Sequence, residues 1–403
     1  MSLIVQKFGG SSVKDAQRIE NVAERIAETY LAGNDVIVVL SAQGDTTDDL
    51  IAKAAEINPK ASKREMDMLL ATGEQISVAL CAMALEKRGL RCVSLNAFQV
   101  GIQSTAVHSD ARIRRIDPER LRSELDQHSI VLVTGFQGVD RSGDVTTLGR
   151  GGSDTSAVAL AAAFHADLCQ IFTDVDGVYT TDPRIVPTAR KLSEITYDEM
   201  LELASQGAQV LHNRSVELAK KYHVDLEVLS SLEHKPGTKV KEVVKVEKTN
   251  IAGIAKDTSL ARIALVGLQH NPGVAFQVFS LLSGGGINVD TILQSIGRDE
   301  TKDISFTVHR KDLEDTVSIL EEHKSALGFD HLAIDDSVGK VSIVGAGLMS
   351  NSAVAARMFE ALYEAGINIQ MINTSEIRVS VLLDEGDVNR AVKAIHDKFF
   401  DEL

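Results

Sequence analysis

Residues 1 to 230 alternate short apolar runs with stretches of helical spacing. The runs are of a length typical of buried strands, and they lie at Ile4–Phe8, Val36–Leu40, Cys92–Leu95, Ile130–Thr134, Leu168–Phe172 and Leu226–Leu229. Val22, Ala23 and Ile26 mark one face of a first predicted helix. The further helical candidates are Ile76–Lys87, Thr155–Ala166, Tyr197–Ala204 and Ser215–Lys221. Solidly apolar strands that alternate with helices predict an α/β fold, with a mainly parallel sheet covered on both faces.

Glycine corners follow several of these strands. Gly9 and Gly10 come after the first strand, Ser41–Gly44 after the second, and Gly135–Gly138 after the fourth. Ligands of parallel sheets bind at the carboxyl ends of the strands. The pattern therefore predicts a ligand site at this edge.

The chain changes character at residues 233–249, which are charged and turn-rich and predict a domain boundary. Beyond it, Gly286–Ser295 is repeated 80 positions later as Gly366–Ser375. Each copy has the order strand, helix, strand, strand, helix, strand, which is typical of a ferredoxin-like βαββαβ module. We expect the two modules to pack together; a purely structural or dimerising role for them is the alternative.

Composition narrows the possible functions. A net charge of −15 argues against nonspecific binding to nucleic acid or anionic membranes. Cys81, Cys92 and Cys169 lack metal-ligand spacing and indicate reduced thiols of a cytoplasmic protein. We expect neither a signal peptide nor a membrane span, since no run of 18 apolar residues occurs.

The most informative segment, residues 146–157, runs into an Ala-rich helix. Gly149, Gly151 and Gly152 allow close approach of a ligand to the backbone. Ser153 or Asp154 is predicted to cap the helix, and Arg150 offers donors that suit a carboxylate or phosphate. The segment predicts an anion-binding corner, with an ordinary glycine turn as the alternative.

Five segments in order resemble the signature segments of the aspartokinase family: Lys7–Val13, Ser41–Asp48, Thr72–Gln75, Gly149–Thr155 and Thr173–Arg184. The repeated modules resemble the tandem ACT domains of that family. The resemblance implies an amino acid kinase αβα sandwich over residues 1–245 and ACT domains over 264–334 and 335–403. It also implies that strand 250–257 completes the second ACT domain.

The resemblance implies the reaction of ATP with L-aspartate to give ADP and 4-phospho-L-aspartate, the first step toward lysine, threonine, methionine and isoleucine. Mg²⁺ is expected on the phosphates with few protein ligands, so no metal-ligating residues are assigned. A homo-oligomer formed through the ACT domains is expected, without nucleic-acid or membrane partners.

Lys7, at the end of the first strand, is assigned to the γ-phosphate, with Gly9, Gly10 and Ser11 as backbone donors. Ser41 is a further candidate on the nucleotide side. By resemblance, Thr173, Asp174, Tyr179, Asp182 and Arg184 belong to the nucleotide site, and Lys7 and Asp174 are the catalytic pair. The family commonly has lysine where this chain has Gln209, which predicts weaker ATP binding or compensation by Arg184 or Arg214.

The resemblance places aspartate on Thr47, Glu74, Arg150 and the segment Gly151, Gly152 and Ser153. Glu74 suits the substrate ammonium and Arg150 a carboxylate; a capping or surface role is the alternative for Glu74. In the first ACT copy the implied effector residues are Asn271, Pro272, Gly273, Val274, Ala275, Asn288, Val289, Asp290 and Gln294. In the second they are Asn368, Ile369, Thr374 and Ser375, although Ser350–Ala353 replaces the His270–Gly273 turn there.

The implied effectors are threonine and lysine. Two other functions stay open. One is a different kinase of the same fold, such as a glutamate-type or carbamate kinase. The other is an amino-acid-binding regulatory protein without catalysis, for which Gln209 is the supporting observation.

Overall fold

A computed structural model describes residues 2–208, 210–243, 251–269, 271–295, 301–346, 348 and 352–401. These residues divide into two compact units. The first comprises the described residues within 1–179, 191–205 and 209–247, and the second comprises those within 180–190, 206–208 and 248–403. The domain boundaries proposed from the sequence stay a prediction.

The first unit begins with β1 (Leu3–Phe8), α1 (Ala16–Leu31), β2 (Asp35–Leu40), α2 (Thr46–Ile57), α3 (Lys63–Leu70), α4 (Thr72–Glu86), β3 (Cys92–Leu95), α5 (Ala97–Val100), β4 (Ile102–Ser104), β5 (Ile113–Ile116) and α6 (Glu119–Leu125). It continues with β6 (Ile130–Thr134), β7 (Gln137–Val139), β8 (Val145–Thr147), α7 (Gly152–Phe164), β9 (Leu168–Thr173), β10 (Glu194–Thr196), α8 (Tyr197–Ser205), α9 (Asn213–Tyr222), β11 (Leu226–Ser230) and β12 (Thr238–Lys241).

Eight of the described strands form the main sheet in the order β10-β12-β11-β9-β1-β2-β6-β3. The pairs β9–β1, β1–β2, β2–β6 and β6–β3 are parallel, as predicted, and β11–β12 is antiparallel. Val36, Val38 and Leu40 of β2 pack with apolar residues of α1 and α4. Ile37 and Val39 are equally buried, while α7 lies against β1, β2 and β9. Burial on both faces explains why these strands are apolar throughout.

A second, four-stranded sheet of this unit was not predicted. Its order is β5-β4-β7-β8, and it is built from strands of only three or four residues. β7 and β8 pair antiparallel directly ahead of the glycine-rich segment. This small sheet therefore positions the entry to that segment.

One stretch of the described residues, Lys63–Glu86, is long and apolar enough to cross a membrane by length and composition. However, 56% of its apolar window is buried inside the protein. Val78, Cys81 and Leu85 belong to the core shared with β1, β2 and β6. The stretch therefore has the burial of a core helix, and its apolar character is explained by packing.

The second unit contains β13 (Gly253–Asp257), β14 (Leu260–Gln269), α10 (Val274–Gly284), β15 (Val289–Gln294), β16 (Thr301–His309), α11 (Leu313–Glu322), α12 (Lys324–Leu327) and β17 (His331–Asp335). It continues with β18 (Val338–Val344), α13 (Ser352–Glu364), β19 (Met371–Ser375), β20 (Arg378–Asp384) and α14 (Val388–His396). A π-helical turn at Asp397–Asp401 follows.

The two modules form separate four-stranded sheets, ordered β15-β16-β14-β17 and β13-β18-β20-β19. The first copy has the predicted βαββαβ order. In the second, a π-helical turn follows α14 in the described residues, and the expected sixth strand is replaced by β13, which pairs antiparallel with β18. In the first copy β17 pairs with β14 in the same antiparallel way. A strand from ahead of the first module thus occupies the edge position of the second.

Candidate active site

The carboxyl ends of β9, β1, β2 and β6 lie side by side. Hydrogen bonds continue past the strands: the N–H of Gly9 donates to the Phe172 carbonyl at 3.3 Å, that of Ser41 to Phe8 at 3.1 Å and that of Gly135 to Leu40 at 2.9 Å. The Gly44 N–H also donates to the Gly10 carbonyl at 3.0 Å. The predicted glycine corners are therefore neighbours at one edge of the sheet.

Several residues predicted for the nucleotide site lie at this edge. Gly10, Ser11 and Ser12 form a 3-10 turn directly after β1, and Ser41 follows β2. Such a turn presents successive backbone N–H groups, which is the geometry of an anion nest.

Lys7 is held by an acidic partner that the sequence did not reveal. Its Nζ lies 2.6 Å from Oδ1 of Asp154, and the two side chains are 12% and 11% exposed. Asp154 lies in the first turn of α7. An ion pair between two mostly buried side chains fixes the position of the ammonium more firmly than a surface pair would.

The predicted cap of α7 is wrong. Helix α7 begins at Gly152, and the N-cap residue is Gly151, in a left-handed conformation with φ of 70°. Ser153 and Asp154 lie inside the first turn and make no capping hydrogen bond. A Cβ on Gly151 would lie 2.3 Å from Cγ of His212, so both the backbone angle and the His212 ring require glycine here.

His212 was missed because it belongs to no recognisable motif. It is the N-cap residue of α9, and its Nδ1 is buried with no hydrogen-bond partner among the described residues. Burial lowers the pKa of His212, which favours the neutral imidazole. Its ring therefore covers the glycine-rich segment as a largely uncharged surface.

Of the residues predicted to bind aspartate, Ser153 lies at the same edge. Ser153 Oγ lies 2.5 Å from where a Cβ on Gly135 would stand, so Ser153 fits directly against the end of β6. Thr47 lies in the first turn of α2, and Arg150 is exposed in the loop before α7. Two Arg214 nitrogens donate to the carbonyls of Leu148 and Ala111 at 2.8 and 2.6 Å. Arg214 is thus engaged in holding the loop ahead of Arg150, which disfavours the predicted compensation for Gln209.

Glu74 is a buried carboxylate at this edge. It is 3% exposed in the first turn of α4, and its Oε1 accepts the N–H of Ala42 at 3.2 Å. Its Oε2 is buried without a hydrogen-bond partner among the described residues. Burial raises the pKa of Glu74 to about 7, against the opposing effect of the Glu74 and Ala42 N–H groups and the Gln137 side chain. Such an oxygen is suited to a cationic donor supplied by a ligand.

The segment after β9 is divided between the two units. Thr173, Asp174 and Tyr179 belong to the first unit and Asp182 and Arg184 to the second. Thr173 Oγ1 donates to Asp174 at 3.0 Å, and the Tyr179 hydroxyl donates to Asp176 at 2.8 Å. Arg184 makes a bidentate contact with Asp182, whose pKa the guanidinium lowers. Gln209 lies outside the described residues.

Comparison with known proteins identifies the family. The model of the amino acid kinase family matches residues 2–230, and the ACT domain model matches 263–323 and 341–399. The aspartokinase of Mycolicibacterium smegmatis is 51% identical over 99% of this chain and 96% of its own length. That of Geobacillus stearothermophilus is 50% identical over 99% and 97%. The chain belongs to the aspartokinases.

Solved aspartokinase structures share this fold. The structure of E. coli aspartokinase III in complex with aspartate and ADP, described as the R-state, aligns with a TM-score of 0.84 at 26% identity. That alignment covers 99% of this chain and 100% of the other. The complex of the same enzyme with lysine and aspartate, described as the T-state, aligns over 99% of both chains with a TM-score of 0.77. The expected αβα kinase fold with two ACT domains is therefore confirmed.

The predicted effector residues around β15 and β19 lie at equivalent places in the two modules of this aspartokinase. Asn271, Pro272 and Gly273 form the turn between β14 and α10, and Val274 and Ala275 begin that helix. Asn288 precedes β15, while Val289, Asp290 and Gln294 lie on it. In the second module Asn368 and Ile369 precede β19, and Thr374 and Ser375 end it. Ser350 and Asn351 lie outside the described residues.

Asp290 is already paired within the second unit. The Nζ of Lys340, whose side chain is 5% exposed, lies 2.6 Å from its Oδ2. Burial is the largest single influence and raises the pKa of Asp290, but the charge and hydrogen bond of Lys340, together with Arg378 and Thr291, hold that pKa below its usual value. An effector ammonium would therefore have to share or displace Lys340 in order to reach this carboxylate.

Proposed function

We propose that this aspartokinase uses the carboxyl edge of its main sheet to transfer the γ-phosphoryl group of ATP to the β-carboxylate of L-aspartate. The observation that carries the proposal is the buried Glu74, whose Oε2 has no hydrogen-bond partner among the described residues, beside the glycine corners and the Lys7–Asp154 pair. A carboxylate near an anionic substrate is useful only toward a positive group. The α-ammonium of aspartate is that group.

In the proposed reaction an oxygen of the β-carboxylate attacks the γ-phosphorus while the bond to the β,γ-bridging oxygen breaks and ADP leaves with that electron pair. No general base is required, because a carboxylate of ordinary pKa is ionised at neutral pH. Catalysis then rests on alignment and on offsetting the repulsion between two anions.

On the nucleotide side, Lys7 approaches the γ-phosphate, and the N–H groups of Gly10 and Ser11 bind phosphate oxygens. The Gly9 N–H, also predicted as a donor, is instead bonded to the Phe172 carbonyl. Asp154 positions the Lys7 ammonium through the ion pair and keeps it directed along the sheet edge. Mg²⁺ prefers oxygen ligands, and the exposed Asp174 carboxylate at the end of β9 fits that preference. When bound there, the ion would neutralise phosphate charge.

On the aspartate side, Glu74 accepts hydrogen bonds from the α-ammonium and Arg150 binds a carboxylate. Thr47, Ser153 and the Gly151–Gly152 backbone complete the site. The closeness of Ser153 to Gly135 supports this placement, because it brings the start of α7 to the end of β6.

For regulation, we propose inhibition by lysine, threonine or both through the ACT modules. Lysine is bound by E. coli aspartokinase III in one of the structures that resemble this chain. A ligand that binds one of two conformations more tightly shifts the population toward it. A homo-oligomeric assembly and a cytoplasmic location belong to the same proposal.

An ADP-release assay with a panel of acceptors tests the function. Aspartate should support turnover, while glutamate, N-acetylglutamate and carbamate should not. Release of ADP with another acceptor only would identify a different kinase, and binding of amino acids without turnover would identify a regulatory protein. Adding threonine and lysine, singly and together, then tests the regulation, which is refuted if neither changes the rate.

A further inference from the structure

A fully buried carboxylate lies outside the residues used so far. Asp67 of α3 is 0% exposed. Its Oδ1 accepts the Thr147 hydroxyl at 2.7 Å, and its Oδ2 accepts the Thr147 N–H at 3.0 Å. The Ser109 N–H lies within 3.1 Å of both oxygens, and Nδ1 of His108 lies 2.9 Å from Oδ2. Such a complete set of donors offsets the cost of burying the charge.

These donors belong to the base of the glycine-rich loop. Thr147 is the last residue of β8, three positions before Arg150. Ser109 has a φ of 70°, a left-handed conformation that is costly for a residue with a side chain. The Ser109 carbonyl lies 3.0 Å from where a Cβ on Gly149 would stand. Asp67 therefore holds a strained turn directly beneath the loop that carries Arg150.

Asp67 lies on α3, and α3 is followed directly by α4, the helix that carries Glu74. The Ala71 N–H donates to the Asp67 carbonyl at 3.0 Å, and α4, which carries Glu74, begins at Thr72. Nε2 of Gln137 donates to the Ala71 carbonyl at 2.5 Å. The position of Asp67 therefore links the helix pair that carries Glu74 with the loop that carries Arg150.

We infer that Asp67 is a positioning residue for the aspartate site, which fixes the spacing between Glu74 and Arg150 without touching the substrate. This inference rests on the proposed function. A carboxylate suits the site, because each of its two oxygens faces a backbone N–H donor. In either orientation, an asparagine would bring its NH₂ group to the position of an oxygen that accepts the Ser109 N–H, so part of this donor set would be lost.

The test compares Michaelis constants in Asp67→Asn. A displaced loop should raise the aspartate KM by about tenfold or more, since it would move Arg150 away from the carboxylate that Arg150 binds. The ATP KM should stay within about twofold, because Lys7 and the Gly9–Gly10 corner have no described contact with Asp67. Tyr197→Phe is the control for plain destabilisation, since it removes a buried hydrogen bond to the Val224 carbonyl elsewhere in the unit.

Thr147→Val is the second variant, which removes one donor and keeps the carboxylate in case Asp67→Asn does not fold. It should raise the aspartate KM by a smaller factor and leave the ATP KM unchanged. Tyr197→Phe should lower Tm and leave both constants unchanged. The inference is overturned if either folded variant leaves the aspartate KM unchanged or raises both constants together. A wild-type protein without aspartate-dependent ADP release would overturn the proposed function, and this inference with it.

Discussion

Replacing Glu74 by glutamine tests the central electrostatic feature of the site. The carboxylate is 3% exposed, and burial raises its pKa to about 7 from a usual value of 4.5. The folded protein therefore binds this proton more tightly than the unfolded chain does. Between those two pKa values the folded state holds more protons, so the free energy of unfolding falls as pH rises.

The magnitude follows from the pKa shift. The pKa of Glu74 is about 2.5 higher in the folded protein, and each pKa unit corresponds to about 1.36 kcal/mol. Protonated Glu74 therefore adds about 3 kcal/mol to the free energy of unfolding, a contribution that is present below about pH 4.5 and lost above about pH 7. Glu74→Gln carries no titrating group, so it should gain about 3 kcal/mol relative to wild type between about pH 5 and pH 8. For a unit of 150–250 residues this corresponds to roughly 6–12 °C in Tm.

Thermal unfolding of both proteins across this pH range measures the effect without ligand. Aspartate kinetics measure the role of the charge, because the ionised form would bind the substrate ammonium. The wild-type aspartate KM should fall as pH rises through about 7, and the variant should show a high KM with little pH dependence. A Tm difference that does not change with pH would refute the inference that burial raises the pKa of Glu74. An unchanged aspartate KM in Glu74→Gln would refute the inference that Glu74 binds the substrate ammonium.

Three further substitutions test other parts of the site. Arg150→Ala should raise the aspartate KM at least about tenfold more than the ATP KM, as expected for a lost charged hydrogen bond, and steady-state kinetics with the reverse pattern would undo the assignment. Gln209→Lys should lower the ATP KM, and an unchanged value would show that the missing charge does not limit ATP binding. Gly151→Ala should lower both Tm and activity, because its Cβ would stand 2.3 Å from the His212 ring; the double variant with His212→Gly should recover part of the loss, and no recovery would contradict the steric explanation.

The main sheet was predictable because its strands are buried on both faces. The five apolar residues of Val36–Leu40 are all fully buried, and no helix-forming period competes with that signal. The small sheet was not predictable, since Ile113–Ile116 contains two exposed arginines and strands of three or four residues are too short for a period. Packing with neighbouring strands, rather than local sequence, determines their conformation.

In the candidate site, too, some features were predictable from the sequence and others were not. The glycine corners follow from strand ends, but the start of α7 depends on the left-handed Gly151 beneath His212, a contact across about sixty residues. Asp67, and the pairing of Asp154 with Lys7, were missed because a buried carboxylate differs from a surface one only by its partners. Asp67 meets Thr147 across 80 positions, a pairing that no local pattern contains.

The interleaving of the two compact units limits how this chain can be divided. Ile185 and Val186 pack in the apolar core of the second unit with Ile254, Ile395 and Phe399. Thr180 bonds His396 at 3.0 Å, and Arg190 bonds the Phe400 carbonyl at 2.7 Å.

A fragment cut after residue 245 would keep Glu74 and Arg150 but would leave residues 180–190, with Asp182 and Arg184, without the core on which they fold. A regulatory fragment that began after residue 245 would lack Val186, whose side chain packs in its apolar core. A chimaera that takes its regulatory modules from a relative should therefore also take residues 180–190 from that relative, so two separate segments of the chain must be replaced.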